Sequence, residues 1–319
     1  MVNLRKKKLI ITSSIIIVIL VASLIGVSNY FYNLAVARSG PKDFLNNNPD
    51  LESSSGITLR DEGEKWLANT PFEEINLTSD DGLKLKGYYF EAKVPTNKTA
   101  IIAHGYTGKA KDMARFAKFY QEKLGYNVLM PDARGHGESE GDYIGFGWHE
   151  RKDYVQWINY IIEKNGMDAE ILLHGVSMGG ATVLMTSGEK LPEQVKAIVE
   201  DCGYTSAEDV LEYQLKRMYH LPGFPIVNST SMLTKLKAGY TFSEASALEQ
   251  VKKAKVPIMF IHGEKDTFVP FEMVYELYEA ANTEKELYVV PDAEHGNAYD
   301  TNPSLYEEKV TNFVTKYIK

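Results

Sequence analysis

Hydrophobic and polar positions divide the chain into three stretches with different rhythms. Residues 9–27 form an uncharged run of mainly isoleucine, leucine and valine, and about 20 such residues span a bilayer as a helix. Residues 72–78 and 83–90 alternate apolar and polar side chains around an Asp-Asp-Gly turn at 80–82, which predicts a β-hairpin. After Pro95, short continuous apolar runs alternate with helical patterns. The chain therefore predicts a membrane-length helix, a hairpin and an alternating region.

The alternating region predicts the fold class α/β. Its short apolar runs are typical of strands buried on both faces, and the helical stretches between them provide the crossovers that parallel strands need. We therefore expect a mostly parallel central sheet, led by the antiparallel hairpin and covered by helices on both faces. The expected strands centre on residues 100–103, 128–130, 171–173, 197–199, 258–261 and 287–290.

One segment, residues 205–249, interrupts the alternation. It contains helical patterns at 207–218 and 230–236, a Leu-Pro-Gly-Phe-Pro turn at 221–225, and no strand pattern. Because it follows the predicted strand at 197–199, it would lie over the carboxyl edge of the sheet, where open α/β sheets bind ligands. We expect a helical cap, and two longer crossover helices are the alternative.

The N-terminus predicts a membrane anchor. Four basic residues at 5–8 precede the apolar run, and the next basic residue after it is Arg38, which places the N-terminus in the cytoplasm and the rest outside. The run exceeds the roughly 7 to 15 apolar residues of a cleavable signal peptide, so it favours an uncleaved anchor. A small-x-small pattern at 35–37 keeps cleavage as the alternative. Residues 30–32, Tyr-Phe-Tyr, would mark the outer membrane interface.

These patterns divide the chain into three parts. Residues 1–32 are expected to form a cytoplasmic basic stub and a transmembrane anchor. Residues 33–58 are polar and are expected to form a linker with little to bury. Residues 59–319 are expected to form the catalytic domain, which includes the cap. The protein would thus be a single-pass protein of the cell membrane.

Composition narrows the function classes. A net charge of −8, with no basic block beyond the N-terminus, argues against a nucleic-acid partner. Cys202 is the single cysteine, so no intramolecular disulfide can form. No cysteine or histidine cluster has metal-ligand spacing, and we expect neither a metal nor a cofactor.

The Gly-x-Ser-x-Gly sequence at 175–179 predicts a nucleophilic serine. It lies between an apolar run at 171–173 and a helical pattern from residue 181, so Ser177 would stand at a sharp strand-to-helix turn. Glycines two residues to either side let neighbouring backbone pass close by. The helix would direct its unpaired N–H groups toward the serine, where acyl transfer develops negative charge.

A serine nucleophile needs a base and an acid that orients it. His295 lies in a loop after the last predicted strand, and Asp266 follows the strand at 258–261. The order Ser177, Asp266, His295 is the order expected for this turn. His104, His174 and His262 each precede a glycine at the end of an apolar run, which favours packing or turn roles. The competing acids are Asp132, Asp201 and Asp292, and the remaining histidines are His136, His149 and His220.

The oxyanion site needs two backbone N–H groups. We expect one from Met178, after the nucleophile, and one from Tyr106, in the glycine-rich loop after the strand at 100–103. A glycine-rich turn without this role is the alternative. Six large apolar residues of the cap are candidates for the walls of an acyl pocket, with ordinary packing as the alternative. They are Met218, Tyr219, Leu221, Phe224, Met232 and Leu233.

Together these motifs resemble the α/β-hydrolase superfamily, and within it bacterial serine hydrolases with a helical cap and an N-terminal membrane anchor. The resemblance implies Ser177 as nucleophile, His295 as base and Asp266 as orienting acid, with the amides of Tyr106 and Met178 as oxyanion hole. It covers the chain from about Phe72 to the end. The matching blocks are residues 104–106, 132–139, 174–180, 262–270 and 294–296.

The predicted activity is hydrolysis of a carboxylic ester through an acyl-enzyme on Ser177. The partners would be a small acyl ester or a peptide, and the membrane through the N-terminal helix. A peptidase or amidase with the same three residues is the alternative within hydrolases. An anchored binding protein that has kept the fold without the activity is the alternative from another class.

Overall fold

An eight-stranded sheet forms the centre of the molecule, whose computed structural model describes residues 3–42, 45 and 57–319. The strand order is β1-β2-β4-β3-β5-β6-β7-β8. The first two pairings, β1 with β2 and β2 with β4, are antiparallel, and all the others are parallel. This confirms the α/β class and the leading hairpin. The strands are β1 Glu73–Thr78, β2 Lys84–Phe90, β3 Lys98–Ala103, β4 Asn127–Pro131, β5 Glu170–Val176, β6 Val195–Asp201, β7 Ile258–Gly263 and β8 Lys285–Val290.

Helices cover both faces of this sheet, as the near-continuous apolar strands predict. In β3, Ile101 packs into one apolar cluster and its neighbours Ala100 and Ile102 into the other, because successive side chains of a strand point to opposite faces. One cluster takes in α4 to α9, and the other takes in α2, α3, α10 and α11. The helices are α1 Asn3–Phe31, α2 Ile57–Asn69, α3 Ala114–Lys118, α4 Glu150–Asn165, α5 Met178–Ser187, α6 Ala207–Tyr219, α7 Gly223–Ala238, α8 Ala247–Val251, α9 Glu272–Ala280, α10 Ala298–Thr301 and α11 Pro303–Tyr317.

The N-terminal helix α1 projects from the domain for most of its length. Within the described residues, the segment Lys6–Val36 is the one helix long and apolar enough to cross a membrane, with a mean hydropathy of 2.8. Its apolar side chains from Leu9 to Leu20 are exposed. Such a helix is what a membrane anchor or a signal sequence would supply.

The segment after α1 differs from the expected polar linker. Within its described part, Leu34 and Val36 are buried in the domain. The Val36 carbonyl accepts a hydrogen bond of 2.8 Å from the Ile144 N–H, and Ala37 forms an antiparallel bridge with Tyr143. Buried and less buried side chains alternate along this short stretch, and the polar residues around it masked that pattern in the sequence. The rest of the expected linker, residues 43–44 and 46–56, lies outside the described residues.

The cap consists chiefly of α6 and α7, which follow β6 and pack against each other. Ser206 caps the start of α6 by accepting a hydrogen bond from the Asp209 N–H. α7 also packs against α1, and α6 carries side chains that face Ser177 across a cavity. The end of the membrane-length helix and the cap are therefore neighbours beside the same edge of the sheet.

Candidate active site

Ser177 occupies a strained turn between β5 and α5. Its backbone has φ 57° and ψ −119°, a conformation that a non-glycine residue adopts only when its surroundings enforce it. A Cβ on Gly175 would collide with the carbonyl of Gly179, and a Cβ on Gly179 would collide with the carbonyl of Ala103. The Ser177 N–H donates to the Asp201 carbonyl at 2.8 Å, which fixes the turn to β6.

Two loops bring Asp266 and His295 to this serine. His295 Nε2 lies 2.8 Å from Ser177 Oγ, and His295 Nδ1 lies 2.7 Å from Asp266 Oδ2. The other oxygen of Asp266 accepts the N–H groups of Phe268 and Val269 at 2.9 and 2.8 Å. A hydroxyl hydrogen-bonded to an imidazole can lose its proton to that ring as it attacks, and a carboxylate on the far nitrogen holds the ring in the required orientation.

Asp266 is buried and held as a carboxylate. Burial by itself raises the pKa of Asp266, but the adjacent charge of His295 and the hydrogen bonds from the rings of His262 and His295 outweigh burial. The result is a pKa well below its ordinary value. The group therefore stays ionised beside the imidazole, as stabilisation of a positive His295 would require.

The loop after β3 packs directly against the serine. A Cβ built on Gly105 would lie 3.5 Å from the Cβ of Ser177, so Tyr106 follows at the edge of the site. The Tyr106 hydroxyl donates to the Ala35 carbonyl at 2.7 Å, and its ring stacks on Phe146 with centroids 5.6 Å apart. Met178 is the first residue of α5, where the backbone N–H has no partner within the helix.

An apolar cavity of about 680 Å³, counting its open mouth, lies over Ser177. We call it the acyl cavity. Most of its walls come from the end of α1 and the residues just after it, from the loop after β3, from α6, and from the loop after Asp266. The lining residues are Phe31, Leu34, Ala35, Tyr106, Phe146, Ser177, Met178, Tyr204, Val210, Leu211, Gln214, Leu215, Met218, Tyr219, Phe268 and Val269.

The competing acids lie in other environments. Asp132 accepts the N–H groups of Ala110 and Glu138, which ties the loops after β3 and β4 together. Asp292 is exposed and pairs with Lys265. Asp201 accepts a hydrogen bond from the Tyr306 hydroxyl at 2.9 Å. None of these contacts is with an imidazole that reaches Ser177.

Two of the histidines that were expected in packing or turn roles, His104 and His174, are buried and hydrogen-bonded. His104 Nε2 accepts the Ala133 N–H at 3.0 Å, and His174 lies 2.6 Å from the Tyr120 hydroxyl. Burial lowers the pKa of His104 to about 4 and that of His174 to about 3, so both rings are neutral at ordinary pH. His262 is different, because its Nε2 lies 3.1 Å from the carboxylate of Asp266.

The sequence missed His262 and the N-terminal part of the cavity wall. His262 precedes Asp266 by four residues around the turn after β7, and this spacing was the available signal for their contact. Nothing in residues 31–35 distinguishes cavity-lining side chains from the end of an anchor. Of the six cap candidates, Met218 and Tyr219 line the acyl cavity, whereas Phe224 and Met232 are exposed because they lie on the outer side of α7.

One group of side chains within the described residues has metal-ligand geometry. Donor atoms of Cys202, Asp266 and His295 lie within 4.8 Å of one another. Both ring nitrogens of His295 are already engaged, one by Ser177 and the other by Asp266. A metal ion held here would have to displace one of these two contacts.

Comparison with known proteins gives a family. Residues 113–319 match the prolyl oligopeptidase family. The protein YqkD of Bacillus subtilis is 31% identical over 248 residues, which cover 76% of this chain and 81% of that protein. The residues that match the family include Ser177, Asp266 and His295.

Solved structures agree with this. An esterase of Pyrococcus furiosus is 25% identical, with a TM-score of 0.65 over 80% of this chain and 94% of the esterase. An acylaminoacyl peptidase of Pyrococcus horikoshii, 16% identical, shares the fold, with a TM-score of 0.58 over 81% of this chain and 44% of the peptidase. The chain belongs to the prolyl oligopeptidase family and is an α/β-hydrolase fold serine hydrolase.

Proposed function

We propose that the protein hydrolyses a carboxylic ester through an acyl-enzyme, with Ser177 as nucleophile, His295 as base and Asp266 as its orienting acid. The observation that carries this proposal is the continuous contact from Ser177 Oγ to His295 at 2.8 Å and from His295 to Asp266 at 2.7 Å, beneath an apolar cavity. The similarity to the Pyrococcus furiosus esterase supports the choice of an ester.

The reaction proceeds in two steps. Ser177 Oγ attacks the ester carbonyl while its proton moves to His295 Nε2, and the carbonyl oxygen takes the negative charge opposite the N–H groups of Tyr106 and Met178. The C–O bond to the alcohol then breaks, and the alcohol leaves with the proton from His295. A water molecule, activated by the same ring, attacks the acyl-enzyme. It releases the carboxylic acid and restores the Ser177 hydroxyl.

The cavity favours an acyl ester over a peptide. A peptide backbone carries N–H and C=O groups, and burial of these groups without hydrogen-bond partners costs free energy. The acyl cavity offers almost exclusively apolar side chains and aromatic rings, with Gln214 as its one amide side chain among the described residues. Amide hydrolysis by the same residues remains the second candidate, because the family and the acylaminoacyl peptidase likeness favour it.

We propose residues 1–32 as an uncleaved anchor with its N-terminus in the cytoplasm, and residues 59–319 as the catalytic domain on the other side of the membrane. The apolar helix within Lys6–Val36 and the basic residues that precede it support this. A reporter fused to the C-terminus that is active only in the cytoplasm should be inactive. Reporter activity would reverse the proposed orientation.

A fluorophosphonate probe tests the nucleophile. The folded protein should react with the probe and turn over p-nitrophenyl butyrate, and Ser177→Ala should lose both. Ser243→Ala, which replaces an exposed serine of the cap region, should keep both. No reaction of the folded wild type with either reagent would favour a binding protein. Turnover of peptide amides in preference to esters would favour the second candidate.

A further inference from the structure

A second apolar cavity adjoins the acyl cavity. It measures about 290 Å³, counting its open mouth, and lies beneath α7. It shares four wall residues with the first cavity, namely Phe31, Ala35, Leu211 and Leu215. Its far end is lined by Ile226 and Val227, at the start of α7. Apolar space thus extends from Ser177, past the end of α1, to the turn that joins α6 and α7.

That turn lies beside the C-terminal part of α1. The Ser28 hydroxyl donates to Ser229 at 2.7 Å, and the Lys237 ammonium lies 4.5 Å from the ring of Tyr32. Lys237 also donates to Asn29 Oδ1 at 3.0 Å, so α7 crosses α1 near Ser28. Phe224 lies five residues before Ser229, so the turn lies beside α1 close to Ser28, the residue that follows the uncharged run.

The turn presents an apolar surface. Residues 221–227, Leu-Pro-Gly-Phe-Pro-Ile-Val, carry no charge, and Phe224 is 76% exposed. Leu236, at the other end of α7, is as exposed at 84% but stands between Lys235 and Lys237. An aromatic, uncharged turn beside a bilayer-spanning helix suits the membrane interface, whereas an apolar residue flanked by lysines suits water.

We propose that the turn at residues 221–227 inserts into the bilayer beside α1, and that the enzyme draws its substrate, a long-chain acyl ester of a membrane lipid, from the bilayer into the two cavities. This inference rests on the proposed ester hydrolysis. The acyl chain would pass beside Phe31 and place its ester carbonyl at Ser177. Water would complete the reaction, with release of the fatty acid and of the alcohol that carries the headgroup.

Matched variants of the full chain test the proposal in vesicles of dioleoylphosphatidylglycerol. Phe224→Asp should reduce hydrolysis of vesicle-embedded 4-methylumbelliferyl oleate by at least about tenfold, because a charge opposes insertion of the turn. Hydrolysis of soluble p-nitrophenyl butyrate should stay within about twofold, since the exposed Phe224 does not line the acyl cavity. Leu236→Asp should change neither rate. Equal rates on the oleate for both variants would overturn the proposal while the proposed function stands.

A second measurement is independent of activity. Phe224→Cys and Leu236→Cys can be labelled with an environment-sensitive fluorophore, because the native Cys202 is buried. The label at 224 should shift to the blue in vesicles, and the label at 236 should not. If the shift at 224 appeared in detergent and depended on protein concentration, the turn would bind a second copy of the chain rather than the bilayer, and the proposal would be overturned. If the wild type hydrolysed neither ester, both the proposed function and the proposed lipid substrate would be overturned.

Discussion

The proposed catalytic centre of Ser177, His295 and Asp266 adjoins the acyl cavity, but the two regions are built in opposite ways. The catalytic centre consists of polar groups at strand ends, each fixed by directed hydrogen bonds such as those of Asp266 with Phe268 and Val269. The acyl cavity consists mainly of apolar side chains from widely separated parts of the chain, such as Phe31 and Leu215. Directed contacts demand particular residues at particular positions, whereas an apolar wall demands only volume.

This difference predicts different consequences of substitution in the two regions. Loss of a polar contact in the catalytic centre should reduce turnover of every substrate by the same factor. Loss of an apolar side chain in the cavity should change which substrate is preferred. One residue would belong to both regions, because Tyr106 lines the cavity wall with its side chain and its backbone N–H is proposed for the oxyanion site.

The largest effect is expected from Asp266→Asn. The amide keeps the shape but lacks the charge and can turn an N–H toward His295, so turnover should fall by roughly 10³- to 10⁴-fold. The loss should be equal for short and long acyl esters at pH 7. Asp292→Asn, which changes an exposed aspartate of the neighbouring loop, should keep full activity. A loss confined to long acyl chains would contradict the division between the two regions.

Acid should reduce the free energy of unfolding through the buried His104, which lies in the loop beside the catalytic centre. Burial lowers the pKa of His104 from 6.5 to about 4, so its contribution to stability is fully present above pH 6.5 and is lost as the pH falls through 4. The contribution is on the order of 3 kcal/mol. The free energy of unfolding of wild type should therefore approach that of His104→Gln as the pH is lowered from 7 to 4.

Denaturant unfolding at several pH values measures the difference in the free energy of unfolding between wild type and His104→Gln. His220→Asn is the control, because His220 is exposed at the end of α6 and an asparagine tolerates its left-handed backbone. The gap between wild type and the control should stay constant with pH. A constant gap for His104→Gln as well would show that the ring gains no stability from being neutral and buried.

A smaller effect, on preference, is expected from Phe31→Ala. The ring forms part of the wall that the acyl cavity shares with the second cavity under α7. Its removal should make room for about two more CH₂ groups of the acyl chain, each contributing about 0.8 kcal/mol to binding. The ratio of kcat/KM for p-nitrophenyl decanoate over butyrate should rise roughly tenfold. Ile25→Ala, an exposed position of α1, should leave the ratio unchanged. An equal fall for both esters would place Phe31 in the catalytic centre instead.

The two regions also differ in what their sequence reveals. The positions of the strands along the chain and the turn at Ser177 were predictable, because continuous apolar runs and flanking glycines have direct backbone causes. The cavity wall was not, since Phe31 is the last residue of an apolar helix and its role depends on packing against Tyr219 in a distant segment. Periodicity likewise could not tell that Phe224 faces away from the cavity, because both sides of α7 carry apolar residues.

The smallest effect is expected from Tyr106→Phe, at the junction of the two regions. The change removes the hydroxyl that donates to the Ala35 carbonyl, which should reduce the free energy of unfolding by about 1 kcal/mol. Turnover of p-nitrophenyl butyrate should stay within about threefold, since the Tyr106 N–H is unaltered. Amide hydrogen exchange in residues 32–38 should become faster, because this contact helps to hold that segment on the domain.

Tyr204→Phe provides the matched control for this last variant. Tyr204 also lines the acyl cavity, but its hydroxyl donates to the Phe146 carbonyl at 3.0 Å rather than to the N-terminal segment. Its loss should reduce stability by a similar amount without faster exchange in residues 32–38. If both variants left that exchange unchanged, the segment after α1 would be held by its buried Leu34 and Val36 alone, and the oxyanion loop would not be coupled to the anchor through Tyr106.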